Sequence, residues 1–187
     1  MSTATWLTNQ FLIAMPSLMD PNFYRTVTYI CEHNAEGAMG IVINQALELS
    51  FGDVLQEMDL QTDDELLAKR MVLLGGPVQP DRGFVIHSPL GHWESTLQVT
   101  DDIGVTASRD IITALAEQNG PERSVIALGY ASWGAGQLEQ ELSENTWLTG
   151  PIDTAIIFDL PVAQRWQAAA SLVGVDLKTI STDIGHA

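Results

Sequence analysis

An apolar segment that runs into glycines and then into acidic residues constrains the fold more than any other part of the chain. Residues 124–131 are rich in small and β-branched residues, and Gly134 and Gly136 follow them. This pattern predicts a buried strand, a glycine-rich turn and a helix over about residues 134–145. The first main-chain N–H groups of such a helix lack intrahelical partners, so the turn predicts either an anion site or a closely packed junction.

The size and composition indicate one globular domain over residues 1–187. Hydrophobic residues make up 45% of the 187 residues and charged residues 17%, which is enough to bury a sizeable core. No apolar run approaches the ~20 residues that a membrane-spanning helix needs. Residues 1–6 lack the pattern of a secretory leader, and the single cysteine, Cys31, suits a reducing compartment. We expect a cytoplasmic protein without a membrane partner.

The charge of the chain argues against nucleic acid as a direct partner. Twenty-four acidic residues against eight basic ones give a formal charge of −16. The basic residues are scattered, and only Lys69 and Arg70 are adjacent. Non-specific affinity for nucleic acid depends on clustered lysine and arginine, so direct DNA binding is disfavoured.

Strand and helix patterns alternate irregularly along the chain. Strands are predicted at residues 10–15, 26–31, 38–43, 71–74, 83–87, 93–99, 124–131 and 155–158. Helices are predicted after Ser50, which with Asp53 resembles a capping box, near Asp63, after Ser108 and from Pro161, while residues 181–187 are expected to form a loop. Without a strict strand–helix alternation, the prediction is an α+β domain with a mixed or antiparallel sheet.

Two familiar enzyme motifs fail at the glycine-rich turn. A nucleophile elbow requires G-x-S-x-G, but the glycine before Ser132 is Gly129, one residue too early, and Tyr130 occupies the required position. A dinucleotide fingerprint requires a third glycine where Glu139 stands, and that carboxylate would repel a pyrophosphate. No cofactor is predicted.

Polar and aromatic side chains from several segments nevertheless suggest a ligand site. Trp133 within the turn could be a binding platform or a core residue, and Arg82 could clamp an anionic ligand or form an ion pair. Glu32, His33 and His87 could converge on a metal through the fold, although a hydrogen-bonded network is the more ordinary outcome and no metal is predicted. The candidate ligand-binding residues are Glu32, His33, Arg82, His87, Tyr130, Trp133, Gly134, Gly136, Gln137 and Glu139.

The chain resembles the AlgH/YqgE family of bacterial proteins over nearly its whole length. The matching motifs are residues 11–16, Glu32-His33, residues 37–44, 75–78 and 82–87, the glycine-rich turn, Asn145-x-Trp147-Leu148, Arg165-Trp166 and Gly185-His186-Ala187. Ser132 departs from the family, which more usually has glycine there. The resemblance implies an α+β domain with a bent, partly barrel-like sheet surrounded by helices. It implies no catalytic residues, and the family's frequent label of transcriptional regulator comes without a recognised DNA-binding motif.

Three functions follow as hypotheses. The first is a non-catalytic protein that binds a small molecule or a protein partner and affects transcription only indirectly. The second is an enzyme, for example a hydrolase, that uses Glu32 or Glu139 as base with His33 or His87 and Arg82. The third is a DNA-binding regulator, which the net charge disfavours.

Overall fold

The computed structural model describes residues 6–177, which form ten β-strands and six α-helices. The strands are β1 (Gln10–Ala14), β2 (Val27–Asn34), β3 (Gly37–Val42), β4 (Ala46–Ser50), β5 (Met71–Leu74), β6 (Val78–Ser88), β7 (Thr96–Gln98), β8 (Gly104–Thr106), β9 (Arg123–Gly134) and β10 (Trp147–Pro151). The helices are α1 (Phe51–Glu57), α2 (Glu65–Ala68), α3 (Arg109–Ala116), α4 (Gln137–Ser143), α5 (Thr154–Phe158) and α6 (Arg165–Leu172), the last preceded by a 3-10 turn (Val162–Gln164).

The strands form a single, strongly curled sheet. Its order is β10, β1, β2, β3, β9, β6, β8, β7, and β4 joins it through β5. The β5–β9 pair is parallel, while the other pairs are antiparallel. The result is a half-barrel with helices around it. The predicted α+β class with a bent, largely antiparallel sheet is confirmed.

Several of the candidate residues lie on or beside the longest strand, β9. His87 of β6 lies opposite Ser124 near the start of β9. Ala38 of β3 lies opposite Trp133 near its end, and Ala38 also pairs with His33 of β2. Ser124 and Trp133 are nine residues apart on β9. At ~3.3 Å per residue, the positions of His87 and His33 along this strand therefore differ by about 30 Å.

Apolar side chains are buried on both faces of the sheet. One cluster lies between the sheet and helices α5 and α6 and contains Tyr29 and Ala169. A second lies under α1 and α3 and includes Phe51 and Ile111, and a third lies under α4 around Leu138. Two covered faces explain why residues 11–14 of β1 and 27–31 of β2 are buried without interruption rather than at alternate positions.

Several local predictions are confirmed. The Ser50 side chain accepts from the Asp53 N–H, and the Asp53 carboxylate accepts from the Ser50 N–H, so the capping box at α1 is complete. β2 and β3 form the predicted hairpin. Asp64 caps α2, and its side chain accepts hydrogen bonds from two main-chain N–H groups of that helix.

Other local predictions were wrong. Residues 155–158 form part of α5 rather than a strand, because Asp153 caps the segment and accepts from the Ala155 N–H. A short apolar run does not distinguish a buried strand from a buried helix. The strand predicted at 93–99 covers only Thr96–Gln98, and β4, β8 and β10 were not predicted.

The glycine-rich turn also differs from its prediction. β9 continues to Gly134 because Ala131, Ser132, Trp133 and Gly134 pair with β3, and α4 begins only at Gln137. The strand predicted to end at Ala131 therefore extends through the residues expected to form the turn.

The remaining two predictions concern the C-terminal residues and membrane-spanning helices. The loop predicted at residues 181–187 lies outside the described residues. Within residues 6–177, none of the helices combines the length and the apolar character required to cross a bilayer.

Candidate functional site

The His33 imidazole is a buried contact point between β2 and α4. Its Nδ1 accepts a hydrogen bond from the Leu7 N–H at 3.0 Å, which assigns the ring proton to Nε2. Nε2 then donates to Oε1 of Glu139. The side chain of His33 has no exposed area, whereas that of Glu139 is 44% exposed. Both ring nitrogens are therefore occupied by protein partners.

Glu141 links the end of β9 to β10 and was not among the predicted site residues. Its Oε1 accepts from the indole N–H groups of Trp133 at 3.1 Å and of Trp147 at 2.9 Å. Its Oε2 accepts from the Gln137 amide at 3.0 Å, and Gln137 Oε1 accepts from the Gly134 N–H at 3.0 Å. The i, i+4 spacing of Gln137 and Glu141 was a sequence signal for one of these bonds. The indole bonds required the fold.

Trp133 is a packing residue in this structure. It is 4% exposed and lies 6.2 Å from the Trp147 ring and 5.9 Å from that of Phe23, measured between ring centroids. A ring enclosed in this way does not present a stacking surface to a ligand. Trp133 is therefore a core residue in this structure and not an exposed binding platform.

Groups of the protein itself interact with the start of α4. Gly136 is the N-cap residue, with φ of 75°, and Glu139 contributes negative charge in the first turn. The Gly134 N–H already donates to Gln137. An anion approaching this turn would meet the carboxylates of Glu139 and Glu141, so the electrostatics here oppose anion binding.

A shallow depression of about 210 Å³ lies beside this network. Glu32 and Glu36 line it together with Asn34, Met39 and Ser132. Glu32 is exposed whereas its neighbour His33 is buried, because consecutive strand residues point to opposite faces. The two residues predicted to act together are therefore separated by the sheet.

Arg82 and Tyr130 form a second, separate group. The Arg82 guanidinium lies 5.4 Å from the Phe84 ring centroid, and the Tyr130 ring is 5.5 Å from the same ring. Tyr130 packs on the cluster beneath α5 and α6, while Trp133 belongs to the cluster beneath α4. Arg82 and Tyr130 thus do not join the group formed by His33, Trp133 and Glu139.

His87 belongs to a third group at the far end of β9. Its Nδ1 lies 3.1 Å from the Pro89 carbonyl, and its Nε2 lies 2.7 Å from Thr106 Oγ1, which in turn bonds to Thr96. The Pro89 carbonyl can only accept, so Nδ1 carries the proton. Burial lowers the pKa of this imidazole, which the Pro89 carbonyl partly offsets. The metal site considered for Glu32, His33 and His87 is therefore wrong. No group of three or more potential ligands is arranged for a metal within residues 6–177.

An apolar cavity lies elsewhere, between the sheet and helices α1 and α3, and was not predicted. We call it the α1/α3 cleft, and its volume is about 450 Å³. Its apolar walls are formed by Leu49, Val54, Met58, Gly83, Val85, Ala107, Ile112, Ile126 and Leu128. Helical spacing had indicated that α1 and α3 each bury an apolar face, but it carries no information about the gap between them.

Polar residues also line the α1/α3 cleft. Glu57, Asp81 and Arg109 are exposed at its rim, Ser108 is partly buried, and Thr106 is buried. Arg109 donates through Nη2 to the carbonyl of Met58 at 2.5 Å, which ties the start of α3 to the C-terminal end of α1. The cleft thus combines an apolar interior with both acidic and basic groups at its rim.

Comparisons with known proteins agree with this fold. A family model described as AlgH-like matches residues 11–178. A UPF0301 protein of Thioalkalivibrio sulfidiphilus is 58% identical over 100% of both chains, and one of Saccharophagus degradans is 54% identical over 97% of this chain and 89% of its own.

Solved structures give the same result. The solution structure of the AlgH protein from Pseudomonas aeruginosa is 47% identical, with a TM-score of 0.80 over 100% of this chain and 99% of that one. A crystal structure from Corynebacterium diphtheriae, 17% identical, has a TM-score of 0.74 over 97% and 94% of the two chains and supports the fold alone. On its sequence and its fold, this chain belongs to the AlgH-like family.

Proposed function

We propose that this protein is a non-catalytic binding protein whose ligand is a small molecule with an apolar body, held in the α1/α3 cleft. The supporting observation is the cleft itself, because about 450 Å³ lies within the range of roughly 300–1,000 Å³ typical of small-molecule sites. Its walls are largely aliphatic, so burial of an apolar ligand would supply the main driving force.

The rim of the cleft supplies polar groups that would orient such a ligand. The Arg109 guanidinium has five N–H donors, and within the described residues it donates one hydrogen bond, to the Met58 carbonyl. Glu57 and Asp81 lie on the same rim and would repel a second negative charge. These groups favour a ligand that is apolar along its length and carries one polar acceptor near Arg109.

Gly83 allows this proposal to be tested by filling the cleft. Among residues 6–177, a Cβ at Gly83 would have only the Leu128 side chain within 4 Å, at 3.9 Å, so a larger side chain would enter open space. We expect Gly83→Leu to fold and to lose binding of a fluorescent apolar probe, anilinonaphthalene sulfonate, by about tenfold or more. Gly83→Ala is the matched control and should retain binding, because it adds a single methyl group.

Unchanged probe affinity in a folded Gly83→Leu protein would refute the proposed site. The natural ligand would then be sought by thermal-shift screening of metabolites against the wild type and Gly83→Leu. A ligand present at about 100 times its dissociation constant stabilises the folded state by roughly 2.7 kcal/mol, and this gain should be absent in Gly83→Leu.

The contact between His33 and Glu139 is the observation that favours the alternative of an enzyme. An imidazole beside a carboxylate is suited to proton transfer. Here the imidazole has no exposed area, and its two nitrogens bond to Leu7 and Glu139. This geometry supports a positioning role for the pair more than contact with a substrate.

We propose that any regulatory effect of this protein on transcription is indirect. The formal charge of −16 opposes approach to DNA. A titration with duplex DNA at low salt is expected to show no salt-dependent association, and a clear salt-dependent complex would support direct regulation instead. A cytoplasmic location remains part of the proposal.

A further inference from the structure

Two arginines from distant parts of the chain line one small cavity. Arg70 follows α2 and leads into β5, and Arg165 begins α6. Both line a cavity of about 160 Å³, which we call the Arg70–Arg165 pocket, together with Ser124, Phe158 and Val162. This volume corresponds to about five water molecules at roughly 30 Å³ each, enough for a small oxyanion. The pocket is distinct from the α1/α3 cleft in its chemistry.

The two guanidinium groups are held by neutral oxygen atoms. Arg70 donates through Nη1 to Ser124 Oγ at 2.8 Å and through Nη2 to the Ser124 carbonyl. Arg165 donates through Nε to the Leu160 carbonyl at 2.9 Å and through Nη1 to the Ile43 carbonyl at 2.7 Å. Each guanidinium carries five N–H donors, so donors remain on both for a further acceptor.

The charges around the pocket are not balanced by a direct ion pair. Among residues 6–177, neither Arg70 nor Arg165 forms a salt bridge, and the cavity lining contains no carboxylate. Asp159 acts on Arg165 through space, but its carboxylate is bonded to Arg123. Burial lowers the pKa of both guanidinium groups, which reflects the cost of keeping them charged there.

This arrangement is unexpected in a chain with so many acids. With 24 acidic residues available, two partly buried guanidinium groups would ordinarily be paired with carboxylates. A bound oxyanion would offset both positive charges and accept their remaining N–H groups, and arginine is well suited to such planar, bidentate contacts. The Ser124 hydroxyl lies at the same cavity as an additional polar contact.

We infer that the Arg70–Arg165 pocket is a binding site for a small oxyanion of the phosphate class. Either inorganic phosphate or the phosphate group of a phosphorylated metabolite has the required chemistry. The site is independent of the proposed ligand in the α1/α3 cleft, so either proposal can fail without the other.

The first test observes the wild-type protein by nuclear magnetic resonance during a titration with inorganic phosphate at constant ionic strength. We expect the Nε–H signals of Arg70 and Arg165 to shift saturably, with a dissociation constant on the order of millimolar or tighter, while the signal of Arg82 does not move. Unchanged signals for both pocket arginines, or equal non-saturating shifts at all three, would overturn the inference.

The second test uses variants matched in charge. Arg70→Gln and Lys69→Gln remove one positive charge at adjacent positions, but only Arg70 lines the pocket. We expect Arg70→Gln to weaken phosphate binding by about tenfold or more, as for the loss of a charge-assisted hydrogen bond, and Lys69→Gln to leave it nearly unchanged. Equal weakening in both variants would indicate general electrostatics and refute the site.

A third titration distinguishes the two sources of phosphate. A simple phosphomonoester, glycerol 2-phosphate, is compared with inorganic phosphate on the wild type. Binding at least as tight as that of phosphate assigns the site to a phosphorylated metabolite, and much weaker binding assigns it to the free anion. Both results support the pocket, whereas equal binding of acetate would contradict the assignment to phosphate.

Discussion

Glu139 on α4 accepts a hydrogen bond from the imidazole of His33, a residue 106 positions earlier in the chain. The bond joins the hairpin of β2 and β3 to the helix that follows β9. On the other side of the ring, His33 accepts from the Leu7 N–H, so the same imidazole also holds the segment before β1. His33, a candidate ligand-binding residue on sequence alone, thus connects three parts of the fold.

We predict that Glu139→Ala lowers the free energy of unfolding by about 1–3 kcal/mol. The substitution leaves the buried Nε2–H of His33 without its acceptor, and an unsatisfied buried donor costs roughly this amount. The measurement is urea denaturation followed by circular dichroism. Gln140→Ala is the control, since it changes an exposed neighbour on the same helix. Equal effects of the two substitutions would contradict the structural role of Glu139.

Glu141 should be more important for stability than Glu139. Glu141→Ala removes the common acceptor of two indole N–H groups on buried rings, and we expect a loss of about 2–4 kcal/mol. Glu141→Gln keeps one acceptor oxygen and should lose less. Glu144→Ala on the exposed end of α4 is the control, and denaturation followed by tryptophan fluorescence is the measurement. A loss under roughly 1 kcal/mol for Glu141→Ala would contradict the shared bond.

The fold was largely predictable because it depends on local patterns. The capping box of Ser50 and Asp53, the hairpin of β2 and β3 and the apolar strand within β9 all carry their information within a few residues. The segment at 155–158 was assigned wrongly because its four residues are too few for either period to emerge. The helix at this segment is stabilised by the cap from Asp153, which lies just before it in the chain.

The sites were much less predictable because they depend on which segments meet. The bond from Trp147 to Glu141 and the shared cavity of Arg70 and Arg165 join parts of the chain with no common motif. The predicted group divided instead into three, around His33, Arg82 and His87. Alternation along a strand fixes the face on which a residue lies, but only the register of distant strands fixes its neighbours.

Gly129 and Gly174 provide a matched pair that separates backbone strain from crowding. Both have φ of 78°, but a Cβ on Gly129 would lie 2.5 Å from the Gly76 carbonyl oxygen, whereas one on Gly174 would have no atom of residues 6–177 within 4 Å. We expect Gly174→Ala to cost about 1–2 kcal/mol, from the left-handed conformation alone. Gly129→Ala should cost at least about 2 kcal/mol more, because the backbone of β9 or of the connection between β5 and β6 at Gly76 must shift. If thermal unfolding showed that the two variants lose similar amounts of stability, the Gly76 carbonyl would not lie close to Gly129 in solution.

His87 should make stability depend on pH. Since burial lowers its pKa, the unfolded chain binds a proton at this residue below about pH 6.5 that the folded chain excludes. The free energy of unfolding should therefore fall as the pH decreases from about 6.5 towards the lowered pKa, by at most about 1.4 kcal/mol per pH unit. Above about pH 7 this contribution should be constant.

The test compares the wild type with His87→Gln at several pH values by urea denaturation. The decrease between about pH 7 and pH 5.5 should be smaller in His87→Gln, whatever the stability of that variant at neutral pH. His92→Gln, which removes an exposed imidazole, is the control. Parallel curves for the wild type and His87→Gln would rule out His87 as the source of the dependence.

The thiol of Cys31 should report on unfolding of the whole domain. It is buried in β2, its Sγ lies 3.5 Å from the Tyr29 carbonyl, and burial raises its pKa. Because the thiolate is the reactive form, a thiol reagent at pH 8 should modify Cys31 only when the domain opens. The rate of modification by Ellman's reagent should then rise about tenfold for each 1.4 kcal/mol of stability lost, so Glu141→Ala should react faster than Glu144→Ala. A rate that stays constant across these variants would mean that Cys31 becomes accessible through local motion of β2 alone.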